Sequence, residues 1–193
     1  MKRYSRQTGR MDRPGPGHEE LGAWINLVQA RDVVAVALER RLQADAGVSL
    51  AEHDVLVRLA TAPGKRLRML DLATLLLVSK SGITRLVDRL TREGWVRREL
   101  SDLDRRFVYA ALTERGHAKV RASVPVFAEA VRDVFLRHVS EQDVADLRRI
   151  LRKLLEGHGL WSDARCSPPS NVGAAFRVRR ASQARGGDPG SNR

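Results

Sequence analysis

Cysteine is almost missing: Cys166 is the single one in 193 residues. That excludes an internal disulfide and any zinc site built from two or four cysteines of one chain. No uninterrupted apolar run approaches the roughly 18–20 residues that span a bilayer. The opening stretch, MKRYSRQTGRMDRPGPGHEE, is basic and lacks the apolar segment of a secretory signal. The spacings of catalytic and metal chemistry are also missing. His18, His53, His117, His138 and His158 form no i,i+4 pair and no H-E-x-x-H run, and neither a Gly-rich phosphate loop nor a nucleophile elbow occurs. The histidines therefore read as surface or internally satisfied groups. The expected catalytic residues, metals and cofactors are none. There is no internal repeat. These absences describe a soluble, cytoplasmic, non-enzymatic protein.

What the chain does have is positive charge and a conventional share of apolar residues. Lys and Arg number 35 against 23 Asp and Glu, a net +12 with a sequence pI near 11.1, which favours polyanionic partners. The hydrophobic fraction of 42% is enough to bury a core. Half of the excess lies at the ends: residues 1–20 carry a net +2 and residues 161–193 a net +4. Breakers at Arg13-Pro14-Gly15-Pro16-Gly17 and the Ser/Gly/Pro/Arg-rich stretch after 165 make both ends read as solvated basic tails. The division that follows is an arm over 1–18, a helix over 19–47, a central region over 48–113, further helices over 114–157 and a tail over 158–193.

Periodicity supplies the elements between the tails. Leu21, Trp24, Ile25, Val28, Val33–Leu38 and Leu42 mark a long apolar helix ending near Gly47. Ser49 with Glu52 is a capping box for a helix to about Thr61. A short helix spans Met69 to Leu77. Ser79 caps another over Lys80–Arg92, closed by Gly94. Val96/Arg98/Leu100 and Val108/Ala110/Leu112 alternate with period two around the polar Ser101–Arg106, which is a β-hairpin with a charged tip. Thr113 opens a helical stretch whose Val120, Val124, Phe127, Val131 and Val134 form an a/d seam. Pro125 inside that seam predicts a kink or a later helix start. Ser140 and Asp143 open a last helix through Gly157. Two short helices followed by a charged hairpin make a mainly α fold with a small β-wing: a winged helix-turn-helix flanked by apolar terminal helices.

At about 100° per residue, Ile83, Leu86, Val87 and Leu90 share one sector of the Lys80–Arg92 helix. Ser81, Arg85, Asp88 and Arg92 fall opposite, with Thr84 at the flank. A B-DNA major groove about 12 Å wide admits such a helix N-terminal end first. Arg85 suits a guanine edge, Thr84 a thymine methyl and Ser81 either, while Lys80 sits where a helix N-terminus already favours phosphate. In the hairpin, Asp102 and Asp104 are placed to bond Arg105 and Arg106 and project one guanidinium towards a narrow minor groove. The candidate DNA-binding residues are Ser79, Lys80, Ser81, Thr84, Arg85, Arg89, Arg105 and Arg106, with Asp102 and Asp104 shaping the wing.

The run Asp71-Leu72-Ala73, then Ser79 through Leu90 (SKSGITRLVDRL), Gly94-Trp95-Val96, the tip Asp104-Arg105-Arg106 and the exit Leu112-Thr113-Glu114-Arg115-Gly116 resemble the MarR family of winged helix-turn-helix regulators. The resemblance covers about residues 19–157. It implies a homodimer interlocked through 19–46 and 114–157, and double-stranded DNA bound at a pseudo-palindromic operator. It also implies Arg105 in a minor groove and release by a small phenolic or other lipophilic effector. Peroxide-sensing members carry a cysteine in the first helix, and this chain has none there, so thiol sensing is not expected. Pro125 and the basic extension past Gly157 depart from the family pattern. An accessory or architectural DNA binder without a ligand switch is the alternative, and the short polar face of the Lys80–Arg92 helix favours base reading over it.

Overall fold

The computed structural model describes residues 15–100, 104 and 106–162. In chain order these form α1 (His18–Ala46), α2 (Leu50–Thr61), a 3-10 turn, β1 (Arg66–Arg68), α3 (Met69–Leu76), α4 (Lys80–Arg92), β2 (Val96–Leu100), β3 (Val108–Leu112), α5 (Glu114–Val134), a second 3-10 turn and α6 (Glu141–Gly157). The strands form one antiparallel sheet ordered β1-β3-β2. Its third strand, β1, was not legible, because three residues are too few for an alternating pattern.

The helix starts follow local chemistry. Ser49 accepts from the Glu52 backbone N–H at 3.2 Å, while the Glu52 carboxylate accepts from the Ser49 N–H at 2.8 Å. Ser140 and Asp143 repeat that reciprocal box on α6, and Asp143 is held below the usual carboxylate range by its bonds to Ser140. Single caps, Ser79 to the Gly82 N–H and Thr113 to the Gly116 N–H, open α4 and α5. The turn between α3 and α4 is only Leu77 and Val78 before the Ser79 cap. Leu77 takes the left-handed conformation there, with φ 54°, which costs a residue with a Cβ about 1–2 kcal/mol.

The core gathers around α2. Leu42, Val48, Val55, Leu56, Leu59, Leu72, Ile83, Val87, Leu90, Trp95, Val96, Ala110 and Leu112 pack into one buried cluster. Trp95 is thus a core residue. The first part of α5 joins the same cluster, since Val120 and Phe127 pack on it and Val124 is buried. The α5 seam is therefore partly occupied by the chain's own core. α5 begins at Glu114 and runs to Val134 with Pro125 inside it, so the later start raised by that proline does not occur. Pro125 is exposed, and the ladder bond of its missing N–H is given up.

The chain divides into two compact units after Val33, within α1. In the first unit Leu21, Trp24, Ile25, Val28 and Val33 are exposed. By length and composition α1 could cross a membrane. The unbroken-run reading missed this because Arg31 and Asp32, ion-paired at 2.6 Å, interrupt the sequence. Two ionised groups at mid-span would each cost about 2.5–3.5 kcal/mol in hydrocarbon. In the second unit α6 has no buried residue. Its Val144, Leu147, Leu151 and Leu155 line, with Leu77, Phe135 and Trp161, an apolar groove of about 490 Å³.

Candidate nucleic-acid interface

Helix α4 turns Ile83, Val87 and Leu90 into the core, with exposures of 1%, 0% and 0%. Ser79, Lys80, Ser81, Thr84, Arg85 and Arg89 are all exposed, and for Ser81, Thr84 and Arg85 the helical angles predict it. At the N-terminal end the Ser79 and Ser81 hydroxyls lie 3.1 Å apart, and the Thr84 hydroxyl donates back to the Lys80 carbonyl at 2.8 Å.

Arg89 does something the sequence did not reveal. Its Nε donates to Glu52 Oε1 at 2.5 Å, and Glu52 is the residue that closes the α2 capping box. One carboxylate thus caps α2 and ties α4 to it. The Glu52 side chain is only 9% exposed, so the pair is worth more than a surface ion pair. We expect Glu52→Ala to lower the stability of the fold by about 1–3 kcal/mol. The check is a shifted urea midpoint at unchanged m value. Arg98 is another inward tie: it pairs with Asp88 at 2.8 Å and reaches the Thr84 carbonyl, joining β2 to α4.

In the wing, Asp104 receives both the backbone N–H and the guanidinium of Arg106, at 3.0 Å and 2.8–3.1 Å. These bonds hold Asp104 below the usual carboxylate range and push Arg106 up. Asp104 and Arg106 are therefore together. Asp102 and Arg105 lie outside the described residues, as do the first fourteen residues and everything from 163 on, Cys166 included.

Between α3, the start of α4 and the wing runs a groove of about 470 Å³ lined by Arg68, Asp71, Lys80, Thr84, Arg98, Arg106 and Phe107, among others. Cations thus line it from three elements at once. Arg68 and Arg98 were not singled out from the sequence; only the sheet pairing brings β1 and β2 to the same groove.

His53 is a core group. It is 3% exposed, its Nδ1 lies 3.0 Å from Ser123 Oγ, and its ring stacks on Phe127 at 4.7 Å. Among the described residues no cluster of three His, Cys, Asp or Glu could hold a metal ion.

A two-residue turn between α3 and α4, an exposed polar α4 face and an adjoining three-stranded wing define a winged helix-turn-helix protein. A family model described as MarR family matches residues 46–106. The DNA-complexed structure of the MarR family regulator Sco3205 from Streptomyces coelicolor is 34% identical, covers 76% of this chain and 92% of that one, and superposes with a TM-score of 0.72. AbsC, another MarR family regulator from the same organism, is 30% identical over 75% of this chain and 97% of its own, with a TM-score of 0.70. The transcriptional repressor MprA of Escherichia coli K12 is 31% identical over 109 residues, which is 56% of this chain and 61% of the repressor. The chain belongs to the MarR family.

Proposed function

We propose that this protein is a sequence-specific, DNA-binding transcriptional regulator, most simply a repressor, without a catalytic role and acting in the cytoplasm. It binds a pseudo-palindromic operator as a homodimer, through the apolar faces of α1, α5 and α6, and a small lipophilic or phenolic effector releases it. The observation that carries this reading is the α4 face. Ser81, Thr84 and Arg85 stand exposed on a helix whose opposite side packs into the core through Ile83, Val87 and Leu90, so the face is held rigidly and is chemically suited to base edges. Support comes also from the DNA complex of Sco3205 and the repressor name of MprA. Arg105, beside the Asp104–Arg106 pair, is the side chain we assign to the minor groove.

The test is a titration of a palindrome taken from beside the gene against random duplex, with and without candidate ligands. Preference for the palindrome by 10³-fold or more is expected at physiological salt; equal affinity for both would overturn sequence-specific regulation and favour an architectural binder. Arg85→Ala is expected to cost roughly 1–3 kcal/mol and to relax choice at one base position, read by a binding series over single-base variants. A loss of equal size on every sequence would make Arg85 a phosphate contact.

A further inference from the structure

The outer face of the wing sheet carries a second feature. Register sets Arg66 of β1 opposite Ala111 of β3 and Ala111 opposite Arg97 of β2, and two residues on it sets Arg68, Tyr109 and Glu99 in line. Residues directly opposite across a sheet share a face, so Arg66, Arg68 and Arg97 stand on one side together. All three are exposed. Glu99 lies between two of them, 3.4 Å from Arg66 and 2.6 Å from Arg97. Glu99 offsets one of these three guanidiniums, and Asp71 and the Arg106-paired Asp104 also act on Arg68, so the excess of positive charge on the face sits at Arg66 and Arg97 as much as at Arg68.

The aromatic residues there hold the cations in place. Arg68 lies over Phe107 at 4.2 Å and over Tyr109 at 5.9 Å, and its Nε donates to the Tyr109 hydroxyl at 3.1 Å. Arg66 lies over the Tyr109 ring at 5.1 Å. A guanidinium held over an aromatic ring keeps N–H groups for a second partner, and its side-chain entropy is already partly spent. Arg68 and Phe107 also line the groove that holds Lys80, Thr84 and Arg106. The face is therefore continuous with the proposed DNA interface.

We infer that Arg66, Arg68 and Arg97 form a phosphate-binding face that grips duplex flanking the operator, beyond the base pairs read by α4 and the wing tip. Its occupant is the DNA backbone: the face offers three ordered guanidiniums with Glu99 as the carboxylate between two of them, and it adjoins the surface proposed to hold the same duplex. This rests on the DNA-binding reading above and extends its footprint. Such contacts add affinity and salt dependence without adding base preference.

The experiment compares the full chain with the triple variants Arg66→Gln/Arg68→Gln/Arg97→Gln and Arg66→Lys/Arg68→Lys/Arg97→Lys. Each is titrated against a core operator, the same operator extended by about one helical turn (~10 base pairs) on each side, and random duplex, over a salt series. For the wild type, extension is expected to raise affinity about tenfold. The Gln variant is expected to lose that gain and to lower the slope of log K against log salt by about 2–3 per protomer, at unchanged base preference; the Lys variant keeps the slope. Equal slopes for wild type and the Gln variant, or no gain from extension, would overturn the inference, including the case where these arginines only guard the edge strand β1 against self-association. A failure of the regulator reading looks different: no variant would prefer operator to random duplex, while the slope on random duplex would still report the face.

Discussion

Gly116→Ala is expected to destabilise the protein by about 3 kcal/mol or more. Gly116 sits in the first turn of α5, where α5 leaves the wing. A Cβ built there would lie 2.1 Å from the Trp95 carbonyl oxygen and 2.7 Å from Leu112 Cδ1. Neither neighbour can give way cheaply. The Trp95 carbonyl accepts the Thr113 N–H at 3.1 Å, and Leu112 is 6% exposed within the core. Thr113 fastens the same junction twice more, donating its hydroxyl to the Gly94 carbonyl at 2.7 Å and capping the Gly116 N–H at 3.0 Å. Alanine's better helix propensity returns at most about 1 kcal/mol. Urea unfolding checks the result, with Gly157→Ala as the comparison because nothing lies within 4 Å of a Cβ there. If Gly116→Ala matched that control, α5 would not approach Trp95 as closely as described.

Acidification is expected to cost about 3 kcal/mol of stability through one residue, His53. Its burial lowers the pKa from 6.5 to about 4, and loss of solvation is the cause. The unfolded chain takes up the proton as pH falls through 6.5, whereas the folded chain resists until about 4. Stability therefore stands at its full value above pH 6.5, declines between 6.5 and 4, and levels off below. At 1.36 kcal/mol per pKa unit the gap corresponds to the figure stated. Carboxylates add their own acid dependence, so the measurement is a difference. His53→Gln can still hydrogen-bond Ser123 but has no proton to take up in this range. Its denaturation midpoint is expected to fall less steeply than the wild type's between pH 6.5 and 4. Parallel curves would mean that His53 is solvated in the folded state.

Both residues mark what a sequence can and cannot disclose. Features written within three or four positions were legible: the Ser49–Glu52 and Ser140–Asp143 boxes, the Ser79 cap, Gly47 after α1, and both strands of the hairpin. So was the division of α4 into buried and exposed sides, because a 3.6-residue period is itself local. Contacts between distant residues were not. His53 meets Ser123 across 70 positions, and Arg89 meets Glu52 across 37, which turns a presumed DNA-facing cation partly towards its own domain. β1 was hidden for a related reason: Arg66–Arg68 is a strand only because β3 lies beside it. The continuous α5 shows the opposite failure. Pro125 predicts a kink or a later helix start, and the later start does not occur, with Val120, Val124 and Phe127 packed on both sides of it.

The exposed apolar residues of α1 and the open groove along α6 have a consequence for dosage. If two copies must meet to cover those surfaces, association precedes DNA binding, and mass action governs both. Melting temperature then rises with protein concentration. Operator occupancy at low abundance climbs with about the square of monomer concentration, so halving expression removes nearly three quarters of the bound complex. A wing and helix that act within one chain would thus be governed by how often that chain finds its twin.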